Sequence, residues 1–109
     1  MSPANDFMGP LKLKYLVQLR ERRPEITDFM AACENGALNE EVQADMRKKT
    51  HRLAGSAATY GFPWISNAAR ALETALDAQM DARSLTELTR TLLREYDRAL
   101  GSRNLDAVA

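Results

Sequence analysis

The sequence predicts an all-α fold, an antiparallel up-and-down four-helix bundle with a short additional N-terminal helix, and three observations lead there. Apolar residues recur three and four positions apart almost from end to end of the 109-residue chain, the period of a helix that buries one face. No segment alternates apolar and polar residues between turn clusters, as a half-buried strand does. Stop and start signals, among them Asn35 with Gly36 and Gly61 followed by Pro63, cut the chain into lengths that short loops join into a bundle.

The short first helix is expected from about 11 to 22, with Leu13, Leu16 and Val17 on one face, and it should end before Pro24, whose ring clashes with a preceding helical turn. Pro24 then suits the first turn of a second helix, in which Ile26, Phe29, Met30 and Cys33 take core spacing up to the stop at Asn35 and Gly36. Asn39 is the expected N-cap of a third helix reaching about Tyr60, since its side chain can accept from an otherwise unpaired N–H. A fourth runs from Pro63 to about Met80 on the stripe Ile65, Ala69, Leu72, Leu76 and Met80. The fifth opens at Ser84, with Glu87 placed for a capping box, and carries Leu85, Leu88, Leu92, Tyr96 and Ala99 to a stop at Gly101. Residues 11–101 are thus expected to form one domain, between a flexible segment over 1–10 and a tail over 102–109.

Apolar residues make up 45% and charged residues 28% of the chain, and fifteen basic side chains balance fifteen acidic ones. That is a globular composition without a net field to attract nucleic acid or an anionic membrane surface, so proteins are the expected partners. The lone Cys33 falls on an apolar stripe and is read as core. Met1 to Pro10 lacks the apolar segment of a signal peptide, and nowhere do about 18 apolar residues run together as a membrane span requires. The cytoplasm is the expected compartment. Zinc asks for three or four ligands, whereas the chain offers one histidine and one cysteine on different faces, so no metal site is expected. A glycine-rich phosphate loop is absent as well, which argues against an ATP site.

Chemistry points to the third helix. Val42, Met46, Leu53, Ala57 and Tyr60 define its apolar face, and at about 100° per residue His51 falls roughly 145° from the middle of that stripe, on the solvent side. Ala44, Arg47, Lys48, Ala54, Gly55 and Ala58 share its side, so the imidazole is expected to project above small residues with two cations one turn earlier. Glycine inside a helix costs about 1 kcal/mol relative to alanine. Gly55 therefore calls for a reason, either close approach by a partner backbone or tight helix packing. From spacing alone His51 reads more readily as a solvated residue without chemistry.

His51, Arg52, Leu53, Ala54, Gly55, Ser56 and Ala57, followed by Gly61, resemble the signature of histidine phosphotransfer (HPt) domains: histidine, any residue, leucine, lysine, glycine, a small pair, and a second glycine ten positions after the histidine. The helix order resembles that family over nearly the whole chain. The resemblance implies that His51 accepts and donates a phosphoryl group between aspartates of response-regulator receiver domains, in a two-component phosphorelay supplied by a hybrid histidine kinase. Such a protein is a carrier and not a kinase, a monomer without a cofactor of its own, the Mg2+ residing on the receiver. Docking would centre on Gly55, Ala54, Ala58 and Ala44, with Tyr60, Phe62 and Trp64 as apolar contacts or as core.

One departure is plain, since the family usually has lysine where this chain has Ala54. Lys48, Arg47 or Arg52 could supply the missing cation, or could form no more than a solvated basic face. Glu73 resembles the carboxylate or amide found about twenty-two residues after the histidine in some relatives, where it contacts Nδ1 and leaves Nε2 as the nucleophile. A surface pair with Arg70 at i,i+3 spacing competes for it. Two other readings stand beside the carrier: a helical interaction module without phosphotransfer, and a dimerising histidine kinase fragment.

Overall fold

A computed structural model describes the backbone of residues 3–101 and the side chains of residues 9–101; the expected tail over 102–109 lies outside the described residues. The described residues form four helices, α1 (Pro3–Glu34), α2 (Glu40–Thr59), α3 (Pro63–Asp77) and α4 (Ala82–Leu100). There is no strand among the described residues. No helix among them is long and apolar enough to cross a membrane.

Where two helices are expected ahead of Asn35 there is one, since α1 continues through Pro10 and Pro24. A proline inside a helix removes an N–H and presses its ring on the turn before it, at a cost of about 3 kcal/mol. The apolar stripe outweighs that cost because it stays in register across the proline. Leu16 and Leu19 before Pro24, and Ile26, Phe29 and Cys33 after it, are all at most 5% exposed, and each aliphatic or aromatic side chain so buried contributes about 1.5–3 kcal/mol. Pro24 itself faces solvent. The additional short helix is therefore the first half of α1, which also takes in positions 3–10, read from sequence as a segment ahead of the helices. At 1.5 Å per residue its 32 residues span about 48 Å, matching the 47 Å long axis of the molecule.

The other boundaries follow local chemistry. Asn39 caps α2, its Oδ1 accepting from the Val42 N–H at 2.8 Å, and Glu40 and Glu41 lie in the first turn, where the helix dipole favours negative charge. Gly61, at φ +86, makes the turn into Pro63, a conformation that a side chain would strain. α3 stops at Asp77 rather than near Met80; Gln79 takes φ 54 and Met80 is left 44% exposed instead of joining the stripe. α4 starts at Ala82 and not at Ser84, because Asp81 is the cap and accepts from the Ser84 N–H at 2.8 Å. Glu87 pairs with Arg90 in place of closing a capping box.

The core gathers Leu16, Leu19, Ile65, Leu72, Leu85, Leu92 and Tyr96, each at most 2% exposed. Thr50, Ser66 and Thr89 are buried with them, and each hydroxyl donates to a backbone carbonyl, as burial of a polar group demands. Contacts between helices pair rising numbers with falling ones. Ala54 meets Ser66, His51 meets Glu73 and Arg47 meets Asp77 between α2 and α3. Tyr15 meets Ser56 and Glu25 meets Lys49 between α1 and α2, and α1 is joined to α4 by a two-pronged Arg23–Asp97 pair with both contacts at 3.0 Å.

The Asp81 cap generates a prediction with a pH signature. Bonds from the Ser84 backbone and hydroxyl hold its carboxyl below the ordinary aspartate value. A depressed folded value gives stability that is present above the unfolded value, about pH 4, and is lost as pH falls through the folded one. Asp81→Ala should accordingly lower the thermal midpoint more than Ser84→Ala at neutral pH, with the gap closing below about pH 4; equal midpoints at pH 7 would place the cap elsewhere.

Candidate functional site: the histidine face of α2

His51 sits in the second half of α2, and its side chain is 75% exposed. Its Nδ1 lies 2.8 Å from Oε2 of Glu73, on α3, whose side chain is only 18% exposed. An ionised carboxylate can only accept, so this contact is a hydrogen bond when Nδ1 carries the proton. The neutral ring in that tautomer has its lone pair on Nε2, the nitrogen turned away from the carboxylate. Glu73 is thus engaged across the helix interface, and the Arg70 to Glu73 surface pair does not form among the described residues.

Around the imidazole the small residues divide. Ala44, Gly55 and Ala58 are exposed on its side of α2. Ala54 is not: it is 4% exposed, packed beneath the histidine with its carbonyl accepting from Ser66 Oγ at 2.7 Å. Its methyl group lies in the α2–α3 seam, because a residue three positions on from an exposed histidine rotates about 60° back toward the core. A Cβ built on Gly55 would meet nothing within 4 Å. Packing inside the molecule therefore gives no reason for glycine there. Gly61, the second glycine of the motif, serves the backbone turn instead.

The cations are unequally free. Arg47 is held by Asp77 at 3.5 Å, and Lys49 by Asp45 at 2.8 Å and Glu25 at 3.9 Å. Arg52 lines a cavity of about 260 Å³ between α1 and α2, shared with Tyr15, Arg22 and Met46, about 100° around the helix from the imidazole. Lys48 is exposed one turn before His51 and forms no ion pair among the described residues.

Of the aromatic candidates, Tyr60 and Phe62 are half-buried and stack on Tyr15 at centroid distances of 4.5 and 5.9 Å. They brace α1 against the end of α2. Trp64 is 67% exposed, yet it lines a hollow with Glu95, Arg98 and Ala99 and so belongs to the α4 side of α3. Reading the sequence alone misses Ser66 and Asp77. Their signal is present all the same, in a polar stripe on α3 made by Ser66, Arg70, Glu73 and Asp77 at helical spacing.

A sequence model of the Hpt domain matches residues 14–106 of the chain. No curated protein and no solved structure is similar enough to count as a match.

The carboxylate contact predicts a tautomer. In 15N spectra of the neutral ring, His51 should be protonated at Nδ1, and Glu73→Ala should return it to a mixture with substantial Nε2–H. Spectra that do not change on that substitution would show that the carboxylate does not set the proton's position.

Proposed function

Because the chain belongs to the Hpt domain family, whose members act in histidine phosphotransfer and two-component signalling as phosphocarriers and not as kinases, we propose that it relays a phosphoryl group through His51 between aspartates of response-regulator receiver domains, with a hybrid histidine kinase upstream. The observation that carries this reading is the solvent-facing imidazole with its Nδ1 2.8 Å from a carboxylate. In the proposed step Nε2 attacks the phosphorus of a receiver phosphoaspartate in line. The N–P bond forms as the P–O bond breaks, and the aspartate leaves as carboxylate. The proton stays on Nδ1, and Glu73 offsets the positive charge that the ring acquires. Attack by the aspartate of a second receiver reverses the sequence and restores the neutral ring. The receiver supplies Mg2+ and its own acidic pocket.

Gly55, with Ala44 and Ala58, is the part of the face where the receiver comes close, and the exposed imidazole needs no opening motion. Ala54 supports that surface from beneath. We read the helices as an antiparallel up-and-down bundle, on the opposed numbering of the cross-helix pairs, and the protein as a cytoplasmic monomer in which one chain completes the bundle. A dimerising kinase fragment would instead show twice the chain mass in solution.

Incubation with a phosphorylated receiver is the test. Label should pass to the wild-type chain and none to His51→Gln; binding without transfer would leave a bare interaction module. Gly55 separates docking from folding. Gly55→Ala should stabilise the protein by about 0.5–1 kcal/mol in urea unfolding, whereas Gly55→Arg should fold normally yet slow transfer from the receiver, and unchanged transfer in the arginine variant would place docking elsewhere.

A further inference from the structure

We infer that Arg70, on α3, binds the phosphoryl group carried by His51 and so takes over the charge that the family motif places at the position of Ala54; the inference rests on the carrier reading above. Ser66, Arg70, Glu73 and Asp77 follow one another at spacings of four, three and four, which confines them to a stripe about 60° wide on the helix. Three of the four touch α2: Ser66 at the carbonyl of Ala54, Glu73 at Nδ1 of His51, and Asp77 at Arg47. Arg70 lies between Ser66 and Glu73, so its level on α2 falls between Ala54 and His51. It is exposed where its neighbours in the stripe, Ser66 and Glu73, are buried and half-buried.

Arg70 also forms no ion pair or hydrogen bond among the described residues. A phosphoryl group brings a charge of about −1.5 to −2 at neutral pH, next to the carboxylate of Glu73, and such a cluster calls for a cation. A lysine at 54 would have to lead its stem out of the α2–α3 seam to bring an ammonium beside the ring. Alanine leaves that space open to the neighbouring helix. Arg47 and Lys49 are engaged with carboxylates, and Arg52 faces the α1 side. Lys48 stands on the outer flank of His51, about 60° further from α3. Arg70 approaches from the side of Glu73 and offers a planar set of N–H donors that fits two phosphoryl oxygens at once.

The full chain loaded at His51 with the small phosphoryl donor phosphoramidate gives a direct readout, because a neighbouring cation lowers the pH at which the bound phosphoryl group takes up its last proton. In 31P titrations Arg70→Gln should raise that midpoint by about half a unit or more, and it should slow transfer from a phosphorylated receiver by about tenfold. Arg70→Lys, which keeps the charge, should recover most of the midpoint. A midpoint in Arg70→Gln equal to that of the wild type, at equal helical content, overturns the inference and leaves the carrier reading intact. A wild-type chain that acquires no acid-labile phosphate at His51 removes both.

Discussion

Ser66 donating to the carbonyl of Ala54 at 2.7 Å holds α3 against α2 where both helices carry small side chains, with Ala54, Ala57 and Ala69 all at most 4% exposed. Close approach of the two axes is what the site depends on. It leaves no space for bulk in the seam, so hydroxyl and carbonyl meet directly, and one turn of α2 away it lets a carboxylate on α3 reach an imidazole on α2. Wider separation would put water between Glu73 and Nδ1, and the ring would then be free to take either tautomer.

The same two helices divide their labour by face. Inward, Met46, Thr50, Ala57, Leu72 and Leu76 are buried and fix the backbones. Outward, the chain accepts costs that a purely structural helix would avoid: a solvated histidine and a glycine with open space in place of Cβ. The glycine weakens α2 by about 1 kcal/mol, a loss that the Asn39 cap and the buried stripe offset. Rigidity is supplied by parts of the helix that do no chemistry.

Charge around the histidine is arranged as carefully as shape. Arg47 and Lys49 each have a carboxylate partner. Surface pairs of this kind add little to stability, but they hold those side chains away from the imidazole. Among the described residues Lys48 on α2 and Arg70 on α3 have no such partner. The helix on either side of the imidazole, α2 and α3, thus contributes one cation with no carboxylate partner among the described residues.

Much of this was legible in the residues themselves. The all-helical class, the Asn39 cap, the turn at Gly61 and Pro63, and the exposure of His51 all follow from local rules of spacing and capping, which act within a few residues and so are written in any short window of sequence. Local rules also misled at Pro24, where a proline signals a break and the continuous buried stripe from Leu16 to Cys33 overrides it. They misled again at Ala54, which a helical wheel alone puts on the open face until α3 covers it. Sequence thus determined which residues form helices and which face carries the histidine. Only the packing of α3 against α2 decided that Glu73 meets Nδ1, that Arg47 is spent on Asp77 and that Ala54 is covered, because each of these depends on the register and separation of two helices, quantities set by contacts among residues far apart along the chain.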